Sequence, residues 1–195
     1  FKVSYGGTSQ EKSQNVGTDP IVVFQTKKVT MELLKSDGVT ELVSDNAQYY
    51  AGGWKQFGDG STTTDMELLP LTYSFRVSYG AVSQEKSQNV GSDPIVVFQT
   101  TLVTMKLLAS DGSTELGGGA EYYAGGWKQF GTGTTPTTME LLPLTYSFRV
   151  SYGGVSQEKS QNVGTNPTVV FQTTLVTMKL LDSAGTTELA GGAQY

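Results

Sequence analysis

Residues 75–122 align with residues 148–195 without a gap and agree at 39 of 48 positions. Phe1 aligns with Phe75 at an offset of 74. After the loop Val43–Asn46 the offset becomes 73, because Gly117–Gly119 makes the same connection one residue shorter. A period of 73 to 74 residues makes each copy one small structural unit in an array rather than part of a single large core. The copies differ at scattered positions, such as Asp93/Asn166 and Ile95/Thr168, as diverged duplications do. Tyr195 stops where the other copies continue Tyr-Tyr-Ala-Gly-Gly-Trp, and neither end carries a cap, leader or anchor. The expectation is a segment cut from a longer chain.

Within a copy the pattern is that of short strands. Tyr73, Phe75, Val77 and Tyr79 alternate with Ser74, Arg76 and Ser78, and Tyr146–Tyr152 repeats this. A period of two with aromatic and β-branched residues predicts a half-buried strand. Val103-Thr104-Met105-Lys106-Leu107 alternates likewise. Pro94–Phe98 is a continuous apolar run with Pro at its first position, where a strand tolerates it. Gly marks the turns at Ser110-Asp111-Gly112, Gly117–Gly119, Gly125-Gly126 and Gly131-Thr132-Gly133. No stretch holds a helical period. About seven strands in each ~73-residue unit predict an all-β tandem array of β-sandwich domains forming a rod or filament.

Val103 follows Phe98-Gln99-Thr100 almost directly, as Val29 follows Phe24-Gln25-Thr26. The units are therefore expected at 27–100 and 101–173. Residues 1–26 are read as the C-terminal half of a preceding repeat, and 174–195 as the N-terminal half of a following one. Val96–Leu108 holds neither Gly nor Pro, so a flexible coil is not expected between units. So small a domain buries only ~60 % of its unfolded surface, and contacts between neighbours are expected to supply part of the stability.

Composition removes most chemistry. The chain has no Cys and no His, so it lacks thiolate ligands, a cysteine nucleophile and the commonest general base. A net charge of −5 without a basic cluster argues against nucleic acid and anionic membrane partners. No apolar run approaches the ~18 residues of a membrane span. No enzyme activity, cofactor or metal is expected.

Two segments carry a resemblance: Val176–Gly185 followed by Leu189–Ala193, and Met139-Glu140-Leu141-Leu142-Pro143-Leu144-Thr145-Tyr146-Ser147-Phe148. They resemble the opening strand and the Leu-Pro-Gly-x-Tyr strand of prealbumin-like β-sandwiches, that is, collagen-adhesin B-type repeats and carboxypeptidase regulatory-like domains. The whole unit is also similar to tandem repeats of very large secreted bacterial surface proteins. Leu71 and Leu144 depart from the family's usual Gly after Pro. The resemblance implies an extracellular or cell-surface stalk or fibre module. Some relatives form an isopeptide bond between a first-strand Lys and a last-strand Asn or Asp. Here Lys106 and Lys179 sit on first strands, but the first copy has Glu32 there and the last strand offers only Asp93 at its start. That pattern is not met.

Four further groups are candidates. Tyr49, Tyr50, Trp54, Tyr122, Tyr123 and Trp127 are ligand or junction aromatics, forming either a glycan-stacking platform or packing within the sandwich or between units. Thr62, Thr63, Thr64, Thr134, Thr135, Thr137 and Thr138 lie in Thr-rich loops, which are either O-glycosylation sites or ordinary polar hairpins. Glu85-Lys86-Ser87-Gln88-Asn89 reads as a charged edge that resists strand pairing, or as a polar contact surface or a Lys–Asn cross-link between units. Asp37, Asp59 and Asp111 beside Gly read as turn residues rather than calcium ligands. The expected partners are neighbouring repeats of the same chain, with other copies in a fibre, joined by pairing of sandwich edges, and glycans as further candidates. The function expected is structural. The alternative is a repeated adhesion module that binds glycans or another cell through the Tyr/Trp surfaces, with avidity from repetition.

Overall fold

The computed structural model describes residues 1–192 and is all-β; Ala193, which closes the first resemblance segment, and Tyr195, where the repeat breaks off, lie outside the described residues. The chain opens with a two-stranded hairpin, β1 (Lys2–Tyr5) and β2 (Thr8–Glu11). Seven strands follow: β3 (Lys27–Leu34), β4 (Asn46–Tyr50), β5 (Trp54–Gln56), β6 (Thr64–Leu68), β7 (Thr72–Tyr79), β8 (Val82–Asn89) and β9 (Ile95–Gln99). They form two sheets, β6-β3-β9 and β5-β4-β7-β8, packed face to face. The pattern recurs in β10 (Thr101–Leu108), β11 (Glu115–Leu116), β12 (Gly119–Tyr123), β13 (Trp127–Thr134), β14 (Thr137–Leu141), β15 (Thr145–Tyr152), β16 (Val155–Asn162) and β17 (Thr168–Gln172). There β10 lies between β17 and the pair β11/β14, facing the sheet β13-β12-β15-β16. Among the described residues, no helix is long and apolar enough to cross a membrane.

Alternation builds each core. Val29, Met31 and Leu33 point inward from β3, and Tyr73, Phe75 and Val77 meet them from β7. Val103, Met105 and Leu107 face Tyr146, Phe148 and Val150 in the same way. Phe57 closes the first core with its ring edge-on to Phe75 at 5.9 Å and to Tyr49 at 6.3 Å, the geometry aromatic quadrupoles prefer. Phe130 does so in the second, 5.8 Å from Phe148.

The first and last strands of each sandwich are neighbours and run parallel. Thr30 pairs with Ile95 and Leu34 with Gln99; Thr104 pairs with Thr168 and Leu108 with Gln172. The hairpin β7–β8 turns through only Gly80 and Ala81, with φ of 62° and 69°. Two-residue hairpins of this hand require positive φ at both positions, so Ala81 sits where Gly154 stands in the next copy.

Two expected strands do not form. Residues 20–26 and 174–181 belong to no strand. Their counterparts β9 and β10 are strands because each has a ladder partner, and strand structure is maintained by such pairing rather than by local preference.

Candidate functional site: the joint between the sandwiches

One residue, Thr100, separates β9 from β10. It is buried, its N–H donates to the carbonyl of Leu34 (2.9 Å), and its hydroxyl donates to Glu140 Oε2 (2.5 Å) with the Leu34 carbonyl 3.2 Å away. Glu140 stands on β14 of the second sandwich. Its carboxylate also accepts from the Ser36 hydroxyl (2.6 Å) and the Ser36 N–H (3.2 Å) of the first. Gln99 Nε2 donates to the Ser36 carbonyl at 3.2 Å, which fixes that turn from the other side. One side chain thus ties the linker, a turn of the first sandwich and a strand of the second.

Beside this clamp is an apolar contact. Leu142 follows β14, yet it is fully buried within the first sandwich's core cluster. Leu144 and Val82 are half-buried and pack against both clusters. Pro143, between the two leucines, has no N–H to satisfy there. Tyr146 secures the shoulder from below by donating its hydroxyl to the Leu142 carbonyl at 3.1 Å. Tyr122 sits next to the Gly80 turn, its hydroxyl 3.5 Å from where a Cβ would stand. Burial raises the phenol pKa of Tyr122, with Tyr79 and Asp45 adding to it. Tyr79 is raised by burial too, and then by Glu140 and Asp45. Both phenols are therefore neutral at ordinary pH.

The N-terminal hairpin makes the matching contact on the first sandwich. Tyr49 donates to the Gly6 carbonyl (3.0 Å), and the hydroxyls of Thr8 and Tyr73 are 3.0 Å apart. Leu69, the counterpart of Leu142, is buried beneath it.

The six candidate aromatics divide. Tyr49 and Tyr122 are core residues whose hydroxyls face the neighbouring hairpin, so they belong to no external ligand surface. Tyr50 and Tyr123 are half exposed on the outer face of the larger sheet. Trp54 and Trp127 stand with them, in neither core cluster, edge-on at 5.5 and 5.6 Å. The guanidinium of Arg76 covers one face of Trp54 at 3.8 Å, and that of Arg149 covers Trp127 at 4.2 Å. These arginines are held by Glu85 (2.6 Å) and Glu121 (2.7 Å) respectively. Alternation along β5 and β13 sends Trp54 and Trp127 outward, outside both core clusters.

The threonine loops divide as well. Thr62 and Thr135 are buried and donate to the carbonyls of Leu42 (2.8 Å) and Leu116 (2.7 Å). Thr137 is buried and accepts from the Thr132 N–H at 2.9 Å. These three hydroxyls are structural, which corrects their reading as glycan acceptors. Thr63, Thr134 and Thr138 are exposed and Thr64 half-buried.

In the Glu-Lys-Ser-Gln-Asn segment the polar residues close an edge. Gln88 Nε2 donates to the carbonyls of Asp93 (2.9 Å) and Ile95 (2.8 Å), and Lys86 Nζ to that of Val97 (3.3 Å). A charged side chain over the free edge of β9 disfavours strand addition there. Lys106 pairs with Glu115 at 2.6 Å and Lys179 with Glu188. Asp37 caps the turn N–H groups of Val39 and Thr40, and Asp111 those of Ser113 and Thr114. These bonds, led by the Thr40 and Thr114 hydroxyls, lower both carboxyl pKa values to about 2. Among the described residues no group of three or more acidic side chains is placed to hold a metal ion.

The signal that sequence reading passed over is Leu-Leu-Pro-Leu itself. An apolar run carried by both copies outside the alternating strands marks a surface that needs covering.

No protein-family model matches the chain, and no curated protein matches it. Among solved structures the chain is similar to the Bacillus anthracis TIE protein, with a TM-score of 0.29 and 10% identity over 77% of this chain and 33% of that one. It therefore spans about a third of that protein. Similarity also extends to titin immunoglobulin tandem domains, with a TM-score of 0.18 and 10% identity over 76% of this chain and 96% of that one. For the insect immune protein hemolin the TM-score is 0.16, with 12% identity over 77% of this chain and 46% of that one. Scores this low carry no argument about family or role.

Proposed function

We propose that the chain is a segment of a structural extracellular tandem-repeat protein, part of a cell-surface stalk or filament. In this reading the domains are 27–100 and 101–173, flanked by parts of two further repeats, and the fold is of the prealbumin-like kind. The observation that carries the reading is the joint. Its linker is one buried residue, its apolar shoulder sits in the neighbour's core, and a carboxylate spans both sides. A linker of that length with those contacts has no slack, so successive units keep one orientation and the array gains reach and stiffness. Small-angle scattering with residual dipolar couplings tests it. The expected result is a single alignment tensor for both sandwiches; two independent tensors overturn it.

A second reading rests on a different observation. Exposed Tyr50 and Tyr123 beside partly open indoles give a periodic aromatic surface suited to glycan stacking. Quenching of Trp fluorescence by acrylamide, relieved by added oligosaccharide, supports adhesion; quenching that sugars leave unchanged removes it.

A further inference from the structure

We infer that the Gln88 amide is a positioning residue for the joint: it fixes the register of β9 and, through that strand, the place where Thr100 meets the next sandwich. The inference rests on the stalk reading, which needs successive units to keep one orientation.

The Gln-Glu-Lys-Ser-Gln-Asn motif lies on β8, the edge of the larger sheet, beside β9, the edge of the smaller one. Side chains join these two edges. Gln88 is buried, and its Nε2 donates to the carbonyls of Asp93 (2.9 Å) and Ile95 (2.8 Å). Lys86 Nζ takes the next carbonyl on that side, Val97, at 3.3 Å. Carbonyls two residues apart point the same way in an extended strand, so the one between them points away. That one belongs to Pro94. It accepts from the Thr30 N–H at 3.0 Å, at the start of the parallel ladder. A slip of one residue would offer Gln88 the Pro94 carbonyl and turn Val96 and Phe98 out of the core. The grip therefore specifies the register.

The chemistry needs two donors on one short side chain. A primary amide carries both on one nitrogen; a carboxylate of the same shape carries none, and a hydrocarbon leaves two carbonyls unpaired. The contacts span five and seven residues, whereas the ladder they start closes 65. A local corner thus presents β9 to β3 already oriented, which spares part of the cost of the long closure. The second unit has the same corner. Gln161 Nε2 donates to the carbonyls of Asn166 (2.7 Å) and Thr168 (2.9 Å), and the Thr104 N–H reaches that of Pro167 at 2.9 Å. The Asp93/Asn166 and Ile95/Thr168 differences leave the grip intact, because it uses main-chain carbonyls alone. From the corner, β9 leads straight into the joint. Gln99 ends the strand, and Thr100 follows with its N–H on the Leu34 carbonyl and its hydroxyl on Glu140. One residue of slip moves a strand by about 3.3 Å, which no hydrogen bond tolerates. The far end of a five-residue strand thus decides whether the clamp closes.

Amide exchange and residual dipolar couplings on the full chain at neutral pH test this. In Gln88→Glu the Thr30 and Thr100 amides should exchange at least about tenfold faster, while those of the β7–β8 ladder keep their protection. The two sandwiches, aligned alike in the unaltered chain, should then differ in alignment magnitude by at least about twofold. Gln161→Glu, the same change one unit further on, should leave that alignment unchanged, because its corner serves β17 and not this joint. Gln88→Leu removes the donors without adding a charge; it should act in the same direction at smaller amplitude, and it covers the case in which Gln88→Glu does not fold. Unchanged alignment in both Gln88 variants overturns the inference. So does exchange that quickens equally throughout the first sandwich, or a loss of alignment that Gln161→Glu reproduces. These outcomes leave the stalk reading standing. Two independent tensors in the unaltered chain remove that reading, and this inference with it, before any substitution is made.

Discussion

The octapeptide Thr-Leu-Val-Thr-Met-Lys-Leu-Leu occurs at Thr101–Leu108 and again at Thr174–Leu181. At the first place it is strand β10, held by ladders on both sides, with Val103 and Met105 fully buried. At the second it is no strand, and Val176 and Met178 are 76% and 63% exposed. Identical local preferences thus give opposite outcomes. In this protein a strand is a property of its partners, and alternation records only which face will be buried once they are present.

The comparison is sharpest in amide hydrogen exchange. Val103–Leu107 should be protected by a factor on the order of 10³ or more relative to Val176–Leu180, whose exchange should approach that of an unstructured peptide. Protection of both segments alike breaks the contrast. Next in size is the pair Leu142 and Leu69. Leu142→Ala removes a fully buried side chain from the core of the first sandwich and should cost about 3 kcal/mol or more in urea unfolding. Leu69→Ala, beneath a two-stranded hairpin that can settle into the gap, should cost less than half of that, roughly 1 kcal/mol. Equal costs mean that the hairpin is as firm a cover as a sandwich.

Glu140 and Glu67 give a smaller contrast. Glu140→Gln weakens three bonds across the joint and should cost about 1–2 kcal/mol. Glu67→Gln on an exposed stretch of β6 should change stability by less than about 0.5 kcal/mol. The smallest effect lies in the turns. Asp111 has a folded pKa of about 2 against an ordinary 3.8, so its contribution is present above about pH 4 and is lost as pH falls toward 2. Asp111→Asn should flatten that acid limb, and carbon-detected titration of the carboxyl group should place its midpoint near the stated value.

The faces of β7, β10 and β15 were legible because Tyr73, Phe75, Val77, Val103, Met105 and Leu107 alternate cleanly. The parallel pairing of first and last strands was not, because it depends on which strands meet across 65 residues. The joint was missed because Leu142 is buried by a different unit from the one its strand belongs to. The face taken by Trp54 was left open, because size and apolarity suit burial as well as stacking and only the register of β5 decides. Turn chemistry shows the reverse case. Asp182 stands at the first position of its turn, where Asp111 stands at the third in the other copy. It nonetheless accepts from the equivalent N–H groups, those of Thr186 and Thr187. A residue-by-residue comparison scores that as two losses, and the hydrogen bonds score it as none.

The parallel ladder between β3 and β9 has a consequence for how such a chain responds to tension. A pull along the backbone enters the first sandwich at Lys27 and leaves it at Gln99, the start of one strand and the end of its parallel neighbour. The five register pairs from Thr30–Ile95 to Leu34–Gln99 are then loaded in shear, all at once rather than one after another. A hairpin unzips bond by bond, but this arrangement yields only when the whole ladder slides. Thr100 passes the same load directly to β10, whose ladder with β17 is built in the same sense.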